Sequence, residues 1–130
     1  MTETVYDPLR RKKVASTPEE RVRQWFIQEL LSTFGVPAHR MASEVSLELG
    51  AKKYRVDILV YGAHGVPLAV VECKRPDVEL SLGVLEQALR YNMALGVRYL
   101  VITNGKKTYI YEKVDGRFLP CGSVPDFSDK

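Results

Sequence analysis

The stretch "VVECKRPDV", Val70 to Val78, decides how the chain is read. It opens on β-branched apolar residues, as a strand through a protein interior does, and then sets Glu72 and Lys74 two residues apart before Arg75 and Pro76 stop it. Side chains alternate along a strand, so Val70, Glu72 and Lys74 share one face while Val71 and Cys73 take the other. A carboxylate and an ammonium therefore stand side by side at the end of a buried strand. A surface ion pair is one explanation, and a metal-dependent site is the other.

The preceding stretch, "YRVDILVYG" (54–62), alternates Val56, Ile58 and Val60 with Arg55, Asp57, Leu59 and Tyr61. The turn "AHG" joins it to "VPLAVVECK" and makes the two strands antiparallel. Counting outward from that turn puts Asp57 opposite about residue 70, one pleat from Glu72, within metal-bridging reach where a bulge or twist helps. Asp57 and Glu72, with the backbone carbonyl of Cys73 and waters, form an oxygen donor set suited to Mg2+ or Mn2+. Such an ion polarises a phosphodiester oxygen and acidifies a bound water. Lys74 stands where it can orient that water, take its proton or stabilise charge on the phosphorane.

Outward from this core, "STPEERVRQWFIQELLSTFGVP" (16–37) reads as a helix. Ser16 or Thr17 caps it, Pro18 fits its first turn, Glu19 and Glu20 suit the positive end of the dipole, and Gly35 and Pro37 stop it. Val22, Phe26 and Leu30, with Ile27 and Leu31, give it an apolar stripe. "MASEVSLEL" (41–49) is a strand leading through a turn into "YRVDILVYG". "VELSLGVLEQALRYNMALG" (78–96) is a second helix, with Leu80, Val84, Gln87, Tyr91 and Ala94 on one stripe. "VRYLVITNG" and "KKTYIYEKV" are two further strands around the hairpin signal Asn104-Gly105. The expectation is an α/β domain over 17–115, a mixed sheet of about five strands flanked by helices in the order α-β-β-β-α-β-β. Residues 1–16 read as a basic arm with little to bury, and residues 116–130 as a loosely packed tail.

A chain of 130 residues suits one domain with one site. With 45% apolar and 27% charged residues it has the makeup of a folded globule rather than a disordered segment. No apolar run approaches the ~20 residues of a membrane span, and the basic N-terminus is not followed by a secretory hydrophobic segment, so no membrane is expected and the cytoplasm is the expected location. Cys73 and Cys121 match neither a disulfide framework nor zinc spacing, and His39 and His64 do not complete a ligand set.

Taken together, "PEERVRQWFIQEL", "YRVDILVY", "PLAVVECKRP" and "EQALRYNMALGVRYLVITNG" resemble the N-terminal domain of type I restriction enzyme R subunits, over about residues 10–115. That domain carries the PD-(D/E)xK, or restriction-endonuclease-like, nuclease core. The resemblance implies Asp57 and Glu72 as metal ligands, Lys74 as the catalytic lysine, and Gln87 and Tyr91 as a Gln-x-x-x-Tyr motif. Gln87 then lies beside the catalytic group, and Tyr91 supports it or contacts the DNA backbone; apart from the family, both also read as core-edge residues satisfied by backbone. The motif's proline is not matched, since Val56 precedes Asp57, but proline is no ligand. A first-helix carboxylate often reaches the metal in such nucleases; Glu20 with Gln24 is favoured, Glu19 is the other candidate, and all three also fit plain helix-start roles. Glu44 is a further candidate, with cross-strand pairing as its other role.

The implied activity is Mg2+-dependent (or Mn2+-dependent) hydrolysis of DNA phosphodiesters by an endonuclease-like domain. Its basic residues for phosphate are Arg10 to Lys13, Lys52, Lys53, Arg55, Arg75, Lys106 and Lys107. With no helicase motifs the chain cannot translocate, so its expected partners besides DNA are restriction-modification subunits, or a second copy of itself if it stands alone. The alternative is a non-catalytic DNA-binding or protein-docking module on the same fold.

Overall fold

In the computed structural model, which describes residues 3–122 with Pro125 and Phe127, six strands form one continuous sheet in chain order. A separate two-stranded hairpin, β1 (Thr4–Asp7) and β2 (Lys12–Ala15), precedes it. Helix α1 (Pro18–Ser32) follows, capped by Thr17, whose hydroxyl accepts from the Glu20 amide at 3.0 Å. A 3-10 turn (Ala38–Arg40) then leads into the sheet: β3 (Met41–Leu49), β4 (Lys52–Tyr61), β5 (Pro67–Cys73), helix α2 (Leu82–Asn92), β6 (Tyr99–Thr103), β7 (Thr108–Val114) and β8 (Arg117–Pro120). Among the described residues only β5 and β6 pair in parallel, because α2 lies in the connection between them.

The helices cover opposite faces of the sheet. Val22, Phe26, Ile27 and Leu30 of α1 pack on Ile58, Val60, Ala69, Val71 and Val101. Leu85 and Ala88 of α2 pack on Tyr54, Val56, Leu59, Val70 and Leu100. Two apolar layers thus enclose β4, β5 and β6, which is why these strands read as nearly continuous apolar runs.

Three expectations change. Among the described residues about five strands become eight, since the segments before α1 and after β7 also form strands. Asp115 and Gly116, both at positive φ, make the tight turn that an Asp-Gly pair favours and start β8 from what reads as a tail; Phe118 then enters the core under α2. Farther on, Phe127 is fully buried, stacked on Phe34 at 5.3 Å and edge-on to Tyr99 at 5.1 Å; residues 123, 124, 126 and 128–130 of the expected tail lie outside the described residues. Second, α2 buries Leu85, Ala88 and Asn92 rather than the stripe through Val84, Gln87 and Tyr91. The helix starts after Ser81, so Leu80 cannot set its phase, and one residue of phase is about 100° of rotation.

Third, the strict alternation expected of β4 breaks at Asp57. Val56 faces the α2 layer while Ile58 and Val60 face the α1 layer. On the neighbouring strand Glu44, at φ 54°, drops out of the otherwise regular β3–β4 pairing at the same level. The two strands twist there, and Asp57 is carried to a sheet position that simple counting does not give it.

The supposed arm is tied to the domain by charge. Asp7 is fully buried, its Oδ1 accepts from the Leu9 amide at 2.8 Å, and its other oxygen pairs with the Arg10 guanidinium. Arg10 then reaches Glu20 of α1 and Glu44 of β3, each at 2.6 Å. Burial pushes the Asp7 carboxyl up, but the hydrogen bonds from Arg10 and from the Leu9 and Arg10 amides outweigh it and hold the group below its ordinary range. A carboxyl depressed in the folded chain stabilises fully above its unfolded value, about 3.9, and progressively less as pH falls through the folded value. Acid titration of the wild type is therefore expected to lower the denaturation midpoint below about pH 4, with a shallower loss in Asp7→Asn; equal slopes would show that Asp7 contributes nothing to acid stability.

Candidate active site

The paired part of β4 and β5 ends at Ile58 and Val71, one step short of Asp57 and Glu72. A bulge at Val60 and Tyr61 supplies the residue that moves Asp57 from the level of residue 70 toward Glu72. Beyond the last pair a side chain replaces the ladder: Asp57 Oδ2 accepts from the Cys73 amide at 2.7 Å. Burial pushes the Asp57 carboxyl above its ordinary range; the Cys73 amide and Arg23 oppose this, and the nearby Glu19 and Glu72 carboxylates add to it.

Glu72 and Lys74 project from the end of β5 on the α2 side, where they line a cleft of about 420 Å³ with Val78, Val84, Gln87, Ala88 and Tyr91. Glu72 meets Lys74 at 3.3 Å and the buried Asn92 amide at 3.4 Å. These contacts are longer than the roughly 2.7–2.9 Å of a charge-assisted hydrogen bond, and so is the 3.4 Å from Arg23 to the other Asp57 oxygen. The two carboxylates thus keep lone pairs that no side chain binds tightly. A hard divalent cation needs oxygen donors of this kind, so the pair fits such an ion in chemistry. Among the described residues no three His, Cys, Asp or Glu side chains converge, so further donors would be main-chain carbonyl and water.

The remaining expected residues divide clearly. Gln87 is exposed and lines the same cleft as Lys74 and Glu72. Tyr91 is part of the wall: its hydroxyl accepts from the Arg55 amide at 3.2 Å, and its ring lies 5.2 Å from that of Tyr54. Lys52 lies over both rings, at 4.8 and 5.5 Å. Lys53 is exposed in a cross-strand pair with Glu48, and Arg75 is exposed and paired with Asp77. Glu20 is held by Arg10 at 2.6 Å and by Gln24 at 3.0 Å. Burial and the Asp57 charge push the Cys73 thiol well above its ordinary range, which disfavours the thiolate there.

Three residues of the site escape a reading by motif. Arg23, one turn after Glu20, contacts Asp57, Glu20 and Glu44. Arg10 crosses from the hairpin, and Asn92 joins Glu72 to α2, donating also to the Ala88 carbonyl at 2.8 Å. Arg23 has a signal in the sequence, since Glu20, Arg23, Ile27 and Leu30 fall on one helical stripe and a charge among apolar residues needs a partner. Arg10 has none.

Comparison with known proteins agrees with this geometry at the level of fold. A fragment assigned as the HsdR subunit of a type I restriction enzyme from Vibrio vulnificus YJ016 superposes with a TM-score of 0.61 at 19% identity, over 85% of this chain and 24% of that one. A protein of DUF820 from Anabaena variabilis ATCC 29413, assigned as a nuclease, superposes with a TM-score of 0.55 at 13% identity, over 96% of this chain and 83% of that one. The chain thus spans about a quarter of the length of the Vibrio fragment. No curated protein matches. The family model "Type I restriction enzyme R protein N terminus" matches residues 18–125, so the chain belongs to that family.

Proposed function

We propose that the chain is a metal-dependent DNA endonuclease domain of the PD-(D/E)xK type, with Asp57, Glu72, Lys74 and Gln87 as its catalytic group. The observation that carries this reading is the Asp57–Cys73 hydrogen bond, which fastens Asp57 to the strand end from which Glu72 and Lys74 project, with neither carboxylate bound tightly by a side chain. Asp57, Glu72 and the Cys73 carbonyl would hold the ion, and a bound Mg2+ or Mn2+ would supply Lewis acidity and a water acidic enough to attack phosphorus near neutral pH.

The chain's own residues do the rest. Lys74, two residues from Glu72 on the same face, positions the attacking water and neutralises charge on the phosphoryl oxygens. Gln87 donates its amide into the cleft, where a phosphate oxygen or the water accepts it. Tyr91, fixed by Arg55 and Tyr54, keeps that wall of the cleft in place. The exposed Arg11, Lys12, Lys13, Lys53, Arg55, Arg75, Lys106 and Lys107 supply charge for a phosphate backbone without base readout. In a restriction complex, ATPase and methyltransferase subunits would deliver the DNA; alone, a pair of copies would cut both strands.

A second reading, a non-catalytic DNA-binding or docking module, is favoured by one observation: Glu20 is fully engaged by Arg10 and Gln24, which leaves two carboxylates rather than three for an ion. Supercoiled plasmid separates the two. Wild type with Mn2+ is expected to nick it, and Asp57→Asn and Lys74→Ala are expected to do so at least about 100-fold more slowly. Wild type that cuts nothing, or variants that cut at its rate, would end the catalytic reading.

Asp57 also carries a structural load that can be measured apart from activity. Asp57→Ala strands the Cys73 amide and is expected to cost about 1–3 kcal/mol in chemical denaturation. Asp57→Asn keeps an acceptor oxygen and sheds a buried charge, so its loss is expected to be clearly smaller. Equal losses would mean that the hydrogen bond does not hold the strand end.

A further inference from the structure

The side chain of Arg23 is 8% exposed and stands among three carboxylates, yet it is bound closely to none of them. Its contacts are 3.4 Å to Asp57, 3.6 Å to Glu20 and 3.8 Å to Glu44, with the Ser43 hydroxyl at 3.4 Å. Its Nε is buried and without a hydrogen-bond partner. Arg10 explains part of this. The Glu20 oxygen nearest Arg23 is the one Arg10 holds at 2.6 Å, and the same is true of Glu44. Asp57 alone of the three has no other cationic partner among the described residues, so the Arg23 charge serves Asp57.

We infer that Arg23 is the resident cation of the site, and that a divalent ion binds Asp57 in competition with it. The inference rests on the metal-dependent reading above. Among the described residues of this cluster Arg10, Arg23 and, on Glu44, Arg55 face Asp7, Glu20, Glu44 and Asp57, so removing Arg23 takes away the one guanidinium at the carboxylate proposed to bind the ion. Two cations on one half-buried carboxylate repel each other strongly, because water screens them poorly there. Loose geometry and an orphan Nε are what a displaceable partner has, and the tight contacts of Arg10 are what a permanent one has. Arg23 is thus a positioning residue: it keeps Asp57 oriented when no ion is bound and sets the concentration at which one binds.

Calorimetric titration with Mn2+ at pH 8, on wild type, Arg23→Gln and Arg23→Lys, tests this, with far-UV circular dichroism to follow folding. Arg23→Gln is expected to bind at least about tenfold more tightly than wild type, while Arg23→Lys, which keeps the charge, stays within about threefold of it. Folded Arg23→Gln that binds no more tightly than wild type overturns the inference and leaves the nuclease reading standing. Arg23→Lys that binds as tightly as Arg23→Gln also overturns it, since charge would then not be the cause. If Arg23→Gln is unfolded without metal, recovery of helical signal on adding Mn2+ supports the inference, and a chain still unfolded at concentrations that saturate wild type overturns it. If no folded form binds Mn2+, the metal-dependent reading falls and takes the inference with it. Binding by Arg23→Gln alone would support competition while showing that the wild-type site is closed to metal.

Discussion

The hydrogen bond from the Cys73 amide to Asp57 is the constraint on which the site depends. β4 and β5 pair as far as Ile58 and Val71, and at the next position β4 twists where Glu44 leaves the β3–β4 ladder. A carboxylate oxygen takes the place of the main-chain acceptor at that point. It satisfies a buried donor, fixes the direction of β5 at its last residue, and so determines where Glu72 and Lys74 emerge. One atom thus performs a structural task while its neighbour on the same carboxylate remains available.

Two kinds of charge surround that carboxylate. Arg10 is a strut, with short contacts that pin the N-terminal hairpin to α1 and β3. Arg23 and Lys74 are loosely placed cations at the carboxylates of the strand ends. Buried ion pairs add little to stability on balance, since desolvation consumes most of their attraction, but removing one partner is costly. A cluster of this kind is better understood as setting geometry and local potential than as holding the domain together, a task left to the two apolar layers under α1 and α2.

Much of this was legible in the residues. Thr17, Pro18 and the acidic pair after them mark the start of α1, and Asn104-Gly105 marks the β6–β7 turn, where Asn104 accepts from the amides of Lys106 and Lys107. The proximity of Glu72 and Lys74 followed from alternation alone. What failed did so for identifiable reasons. Asp115-Gly116 is as good a turn signal as Asn104-Gly105, but the Gly- and Pro-rich composition around it masks that pair. The stripe that places Gln87 and Tyr91 on the buried face of α2 takes its phase from Leu80, which precedes the helix.

The sequence by itself determined the central elements, the α/β class and the placing of Glu72 and Lys74 side by side after the strand that carries Asp57, because periodicity and turn chemistry act over a few residues and leave local traces. Only the tertiary structure decided that β4 reverses its faces at Asp57, that the chain ends fold back as β1, β2 and β8, and that Arg10 and Arg23 divide the carboxylates between them. These depend on residues far apart in the chain, 34 positions for Arg10 and Glu44 and more for Phe118 and Tyr54, and on the twist of a whole sheet. No short pattern encodes contacts that exist only after distant segments have packed.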